Sequence, residues 1–223
     1  LLYNQSDYDP GYGIPYRYQG LVGRVTYNYD SRYFAEFNMG YNGSENFAKG
    51  KRFGFFPSFS LGWMISEERF VKEKAPWIEM LKLRVSYGEV GNDKIGGQRF
   101  LYNSDYVKGP DYWKQSYPNL GVNSNMVWPS VSEGSLPNLD VTWEKAKKTN
   151  IGIDFSMMKG LISLNADIFY EKRNGILMNR RKISALLGIN PPAGNVGETE
   201  NKGFEIEVGH RNQLNKNFDY WVK

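Results

Sequence analysis

The sequence predicts an all-β fold, an antiparallel sheet of about eight strands, and three observations predict it. Apolar and polar residues alternate with a period of two in one run after another. Turn residues separate these runs, and the connections between them alternate between short and long. Aromatic residues make up 16% of the chain; its 16 Tyr, 13 Phe and 6 Trp favour strands, while 24 Gly supply bends and turns.

The elements follow in order. From Gly20 to Tyr29, one face carries Leu21, Gly23, Val25, Tyr27 and Tyr29, and the other Val22, Arg24, Thr26 and Asn28. Asp30-Ser31-Arg32 makes a tight turn into Tyr33, Ala35, Phe37, Met39 and Tyr41, which alternate with Phe34, Glu36, Asn38 and Gly40. Two such runs joined by a short polar turn predict a hairpin. A third run, 54–64, sets Phe55, Phe59, Leu61 and Trp63 against Ser58, Ser60 and Gly62. Pro57 lies inside it and cannot donate to a ladder, which predicts a bulge or a position at the membrane rim. Ser66-Glu67-Glu68 can start a short helical turn. Leu81, Leu83, Val85 and Tyr87 then alternate with Lys82, Arg84 and Ser86.

Alternation stops after Gly91 and resumes near Trp143, with Ile151, Ile153 and Phe155 against Asn150, Gly152 and Asp154. Lys159-Gly160 turns the chain into Ile162, Leu164, Ala166, Ile168 and Tyr170, facing away from Ser163, Asn165, Asp167 and Glu171. After a second gap, Phe204, Ile206 and Val208 alternate with Glu205 and Glu207, and 212–217 leads to a last strand.

The connections 30–32, 156–160 and 211–217 are short, 42–53 and 66–80 are medium, and 91–142 and 172–202 are long. A transmembrane β-barrel has this rhythm, with short periplasmic turns on one rim and long extracellular loops on the other. In that fold Val25, Phe37, Leu83, Ile153, Leu164 and Ile206 face lipid. Arg24, Glu36, Arg84, Asp154, Asp167 and Glu205 line the lumen, because a dry core would make their charges costly. A one-residue slip would exchange the two sets, so each strand is all or none.

Composition narrows the function classes. Mean hydropathy is −0.58, and no apolar run reaches the roughly 18 residues of a membrane helix, but barrel strands alternate and escape that test. The net charge of +4 is dispersed, so no nucleic-acid partner is expected. Without Cys there is no disulfide, thiolate site or Cys nucleophile. His210 is the only histidine, so no His-based triad or metal cluster can form within these residues. Gly11-Tyr12-Gly13 lacks the strand–helix setting of a phosphate loop. Asp7-Tyr8-Asp9 and Asn92-Asp93 could offer oxygen ligands to Ca²⁺, but they read better as turn residues. Glu205 and Glu207 share a strand face, as lumen lining does. The chain is therefore not expected to be an enzyme or to carry a cofactor. It shows no signal peptide and ends in strand-like sequence, which predicts an internal piece of a longer protein.

The candidate ligand-facing element is the stretch from Gly91 to Thr142. It holds Tyr102, Tyr106, Tyr112, Trp113, Tyr117 and Trp128 among Asp, Asn, Lys and Gly. Such rings suit the apolar face of a sugar or a peptide side chain, or they pack the loop onto the rim.

Four segments resemble the C-terminal half of SusC/RagA-family TonB-dependent receptors. They are Phe47-Ala48-Lys49-Gly50-Lys51-Arg52-Phe53-Gly54-Phe55-Phe56-Pro57-Ser58-Phe59-Ser60-Leu61-Gly62-Trp63; Trp77 to Gly88 continued by Gly91-Asn92-Asp93; Trp143-Glu144-Lys145 with Asn150-Ile151-Gly152-Ile153-Asp154; and Asn195-Val196-Gly197-Glu198 with Asn201-Lys202-Gly203-Phe204-Glu205. They occur in order and cover about 20 to 210. The resemblance implies part of a 22-stranded outer-membrane barrel whose plug and TonB box are absent from 1–223. It implies a Gram-negative outer membrane, a SusD-like surface lipoprotein as partner, and TonB-driven import of a glycan, oligosaccharide or peptide. A soluble carbohydrate-binding β-sandwich would share the Tyr- and Trp-rich strands, and a glycoside hydrolase is a third reading; loop rhythm and motifs favour the barrel.

Overall fold

The structure is a computed structural model that describes residues 1–11, 14–94, 99–104, 106–108, 131–134, 136–158, 160–179, 192–215 and 218–223, with backbone alone at 107, 108, 131–133, 214 and 215. Its strands are β1 (Leu2–Tyr8), β2 (Tyr16–Tyr29), β3 (Tyr33–Ser44), β4 (Phe53–Met64), β5 (Ile78–Asn92), β6 (Tyr106–Lys108), β7 (Val131–Glu133), β8 (Glu144–Met157), β9 (Ile162–Met178), β10 (Gly194–Asn215) and β11 (Phe218–Val222). A 3₁₀ turn (Ile65–Glu67) and the helix α1 (Arg69–Lys74) lie between β4 and β5.

Nine strands form one antiparallel sheet in the order β1-β2-β3-β4-β5-β8-β9-β10-β11, and β6 and β7 pair separately. About eight strands were expected, and the sheet has nine. Alternation missed β1, whose middle residues Asn4, Gln5, Ser6 and Asp7 are polar on both faces. The expected gap at 172–202 is also too wide, since β9 continues to Met178 and pairs with β10 from Gly194.

Because sequential strands pair, every second connection lies at the same end of the sheet. One rim holds the strand ends joined through 30–32, 65–77, 158–161 and 216–217; the other holds those joined through 9–15, 45–52, 93–143 and 179–193. At the first, short-connection rim, Asp30 and Ser31 both adopt left-handed φ, 52° and 53°. This primed-turn geometry matches strand twist, and the Asn28 side chain accepts from the Ser31 amide at 3.1 Å. Pro57 pairs with Met39 on β3, while the β5 ladder begins only at Ser58 opposite Gly88. Its missing amide therefore falls where β4 has a partner on one side alone. Beyond that point β4 and β5 separate, and the Phe56 ring fills the fork against Gly91, where a Cβ would collide with it.

Register settles which residues share a face. Val25 pairs with Phe37, Phe37 with Phe59, and Phe59 with Tyr87. Trp63 pairs with Leu83, Leu83 with Ile153, Ile153 with Ala166, and Ala166 with Ile206. These apolar side chains form one continuous face with little protein over it; Val25 is 65% exposed, Ile168 65% and Ile206 63%. The buried core is small and lies at the long-connection rim, where Phe47, Phe56, Val141 and Trp143 pack with Leu101 and Leu177.

Candidate functional site

The opposite face carries the charges. Arg24 stands beside Glu36 on the neighbouring strand at 2.7 Å, and Asn38 donates to the other Glu36 oxygen at 2.7 Å. Arg84 on β5 reaches across to β8 and makes two parallel hydrogen bonds to Asp154, each 2.8 Å. This fork-to-carboxylate geometry is stronger and more directional than a single contact. The same guanidinium reaches Asp167 on β9 at 3.2 Å. It can do so because position 152, between them, is glycine: a Cβ there would meet Asp167 and lie 2.8 Å from Arg84 Nη2. Glu205 pairs in register with Asp167. All six residues proposed from the sequence to line a lumen therefore share one face, as two cations and four anions.

The aromatic set fares differently. Tyr112, Trp113, Tyr117 and Trp128 lie outside the described residues. Tyr106 lies on β6 and is exposed at 62%. Tyr102 belongs to a recess of about 520 Å³ at the long-connection rim, with Phe100, Phe53, Tyr18, Arg17, Arg52 and Glu45 in its lining. Its ring meets Phe100 edge-on at 6.0 Å, and its hydroxyl donates to the Glu45 carbonyl at 3.3 Å. Aromatic faces with convergent polar groups are what a sugar or peptide site requires.

A clasp that sequence reasoning missed holds this recess together. Arg99 donates to the carbonyls of Ile14 and Pro15, each at 2.7 Å, and pairs with the Glu45 carboxylate. Its guanidinium lies over the Tyr16 ring at 3.8 Å and the Phe100 ring at 4.6 Å. Beside it, Trp143 packs on Phe47 at 5.3 Å and Phe56 at 5.2 Å, and its indole donates to the Arg52 carbonyl at 3.2 Å. Phe47 and Trp143 each open one of the family-like motifs, the signal that could have found this core; Arg99 stands in no pattern. Among the groups considered for Ca²⁺, Asp7 pairs with Arg17, Asp9 accepts from the Gly11 amide, and the Asn92 side-chain oxygen accepts from the Lys94 amide. His210 faces Tyr220, Nε2 to hydroxyl 3.2 Å.

One polar face, one apolar face and segregated connections define a piece of an outer-membrane-type β-barrel wall. The family model described as TonB dependent receptor-like, beta-barrel matches residues 3–222, and the chain belongs to that family. The TonB-dependent receptor SusC of Bacteroides thetaiotaomicron is 32% identical over 199 residues, 89% of this chain and 19% of its own. A TonB-dependent receptor of Formosa agariphila is 30% identical over 200 residues, 90% of this chain and 18% of its own. The chain thus spans about a fifth of the length of these relatives. The RagAB peptide importer in its open-open state shares the fold with a TM-score of 0.76, at 21% identity over 93% of this chain and 21% of that one. The siderophore receptor PirA from Pseudomonas aeruginosa superposes at 0.55, with 10% identity over 94% of this chain and 35% of its own.

Proposed function

We propose that residues 1–223 form part of the wall and outer rim of a Gram-negative outer-membrane importer. In this reading the apolar face meets lipid, and Arg24, Glu36, Arg84, Asp154, Asp167 and Glu205 face the lumen. The long connections are extracellular, and TonB drives import through a region outside 1–223. A SusD-like surface lipoprotein covers the long-connection rim, and the cargo is a glycan or oligosaccharide, with a peptide as the alternative.

The uncharged outward band carries the lipid assignment. On β4 the outward positions from Phe53 to Trp63 carry no charge, and on β8 the same holds from Thr149 to Met157 before Lys147 appears. At about 3.4 Å per residue and a tilt of about 40°, these stretches rise about 26 and 21 Å, close to the apolar belt of about 25 Å on such barrels. Water would favour charges scattered along the whole face. The recess around Tyr102 and the aromatic stretch 109–130 supply the cargo reading, because stacking and hydrogen bonds together suit a saccharide.

The test is direct binding of oligosaccharides and of peptides to the full-length receptor in detergent, with Tyr102→Ala, Trp113→Ala and Trp128→Ala. Heat-modifiable migration on a gel monitors the barrel. Weakened saccharide binding in folded variants is the expected result. Unchanged affinity in all three would remove the recognition role, and binding of peptides alone would reassign the cargo.

A further inference from the structure

The connection between β4 and β5 departs from the tight turns of its rim, and its contacts say where it goes. Glu68, just before α1, accepts from the Tyr33 hydroxyl at 2.6 Å, from Trp63 Nε1 at 3.1 Å and from Arg32 at 3.4 Å. Tyr33 and Trp63 are register partners with stacked rings 6.4 Å apart, and they stand on the apolar face. Glu68 therefore sits on that face of the wall, neither beneath the rim nor inside. At the other end of the connection, the Trp77 ring meets Phe155 edge-on at 6.4 Å, and Phe155 is opposite Leu81 and Leu164 on the same face. The Met158 amide also donates to the Trp77 carbonyl at 3.2 Å. Both ends are thus fastened to the apolar side. Between them Val71 is buried, while Phe70 is 54% exposed and Trp77 50%. Arg69 and Lys74 flank Phe70, and Lys72 pairs with Glu67 at 2.5 Å.

We propose that residues 65–77 are a membrane-interface foot, inserting Phe70 and Trp77 into the phospholipid headgroup layer on the short-connection side, with Glu68 as its tether. The proposal rests on the reading that the apolar face meets lipid. The occupant follows from continuity: the exposed rings prolong the apolar wall past its last strand residues, and nearby charges sit as they do on helices lying in an interface. Trp77 suits that depth, where its ring meets acyl chains and its N–H meets headgroups, and Phe70 adds apolar area to be buried there. The carboxylate is kept ionised by its donors, its pKa held below the ordinary value first by the Tyr33 hydroxyl and then by the Trp63 indole, so the tether holds at neutral pH.

The experiment uses the full-length receptor in vesicles of phosphatidylethanolamine and phosphatidylglycerol. Single nitroxide labels are placed at Phe70→Cys, at Ile153→Cys in mid-wall and at Leu139→Cys on the long-connection rim; residues 1–223 carry no native Cys to interfere. Collision with oxygen reports lipid, and collision with a water-soluble nickel chelate reports water. The Ile153 label is expected to favour oxygen strongly, the Leu139 label to favour nickel, and the Phe70 label to exceed Leu139 several-fold in its oxygen-to-nickel ratio. Glu68→Ala should move the Phe70 reading toward water and leave Ile153 unchanged. A Lys74→Cys label gives the same reading if Phe70→Cys impairs folding. Labels at 70 and 74 that read like Leu139, while Ile153 reads lipid, would overturn the foot and spare the barrel wall. An aqueous reading at Ile153 would instead overturn the lipid-facing wall. An unchanged Phe70 reading in Glu68→Ala would overturn the tether.

Discussion

At the short-connection rim, Asp30 and Ser31 reverse the chain within a tight turn, and one carboxylate, Glu68, ties a helix-bearing connection to Tyr33 and Trp63. At the long-connection rim, Phe47, Phe56, Val141 and Trp143 bury one another from three separate segments, and Arg99 clasps the Ile14–Pro15 segment to Glu45 beside them. The first rim is stabilised by local turn geometry and a few polar contacts at the edge of an apolar wall. The second resembles a small soluble core seated on the strand ends. Hydrophobic burial needs water to be expelled, and the long connections bring enough chain to the strand ends to form such a core. Short turns do not bring enough chain together to make one.

The largest effect is expected at that core. Trp143 is 5% exposed, and truncating a buried Trp costs about 3–5 kcal/mol. Trp143→Ala should therefore open the long-connection rim while the wall stays closed, because stability is local in such structures. Protease should cut within 45–52 and 136–143 on the intact receptor, with heat-modifiable migration retained. Loss of both together would show that the two rims are one cooperative unit, and the contrast between them would fail.

Arg99→Lys is expected to do less. Lysine keeps the charge but cannot reproduce the planar fork that serves two carbonyls and Glu45 while lying over Tyr16, a loss of about 1.5–3 kcal/mol for charge-assisted hydrogen bonds. Hydrogen exchange should accelerate at 14–18 and 44–46 and stay unchanged around Trp143. Equal acceleration at both places would merge the clasp with the core.

The same contrast explains what the sequence discloses. Period-2 alternation exists only where the two faces of a strand meet different surroundings, so it was legible from Val25 to Tyr29 and from Ile162 to Tyr170. It fades where β9 continues through Lys172, Arg173 and Asn174 opposite Glu200, Thr199 and Glu198, because polar residues stand on both faces. β1 escaped notice for the same reason, and β6 and β7 are only three residues each. Faces were legible because a single shift would have exchanged Arg84 with Leu83 and Asp154 with Ile153. The core and the clasp were not, since they join residues as distant as Arg52 and Trp143, or Ile14 and Arg99, through contacts that no local pattern encodes. The shared face of the six charged residues was therefore legible residue by residue, whereas the recess beside Tyr102 was signalled only by one aromatic among six.

The smallest effect is confined to acid and belongs to the short-connection rim. Tyr33, Trp63 and Arg32 favour the ionised form of Glu68 in the folded rim and hold its pKa below the ordinary value; in a released connection that value is restored. Such a depressed carboxylate contributes its full stabilisation above the ordinary pKa and loses it as pH falls through the lower, folded one. Around it, Asp30 shares Arg32, and Glu67 pairs with Lys72, so protonating Glu68 also leaves Arg32 its second partner. The Phe70 label should accordingly hold a constant lipid reading from neutral pH down to the ordinary carboxylate pKa, and shift progressively toward water as the pH falls below it. The Trp143 core itself contains no ionisable side chain, and the Asp140–Lys51 pair beside it is exposed, so protease resistance at 136–143 should not follow the same curve. A shift near neutral pH would remove Glu68 as the tether. Loss of both rims at one pH would again mean that they are not separately held.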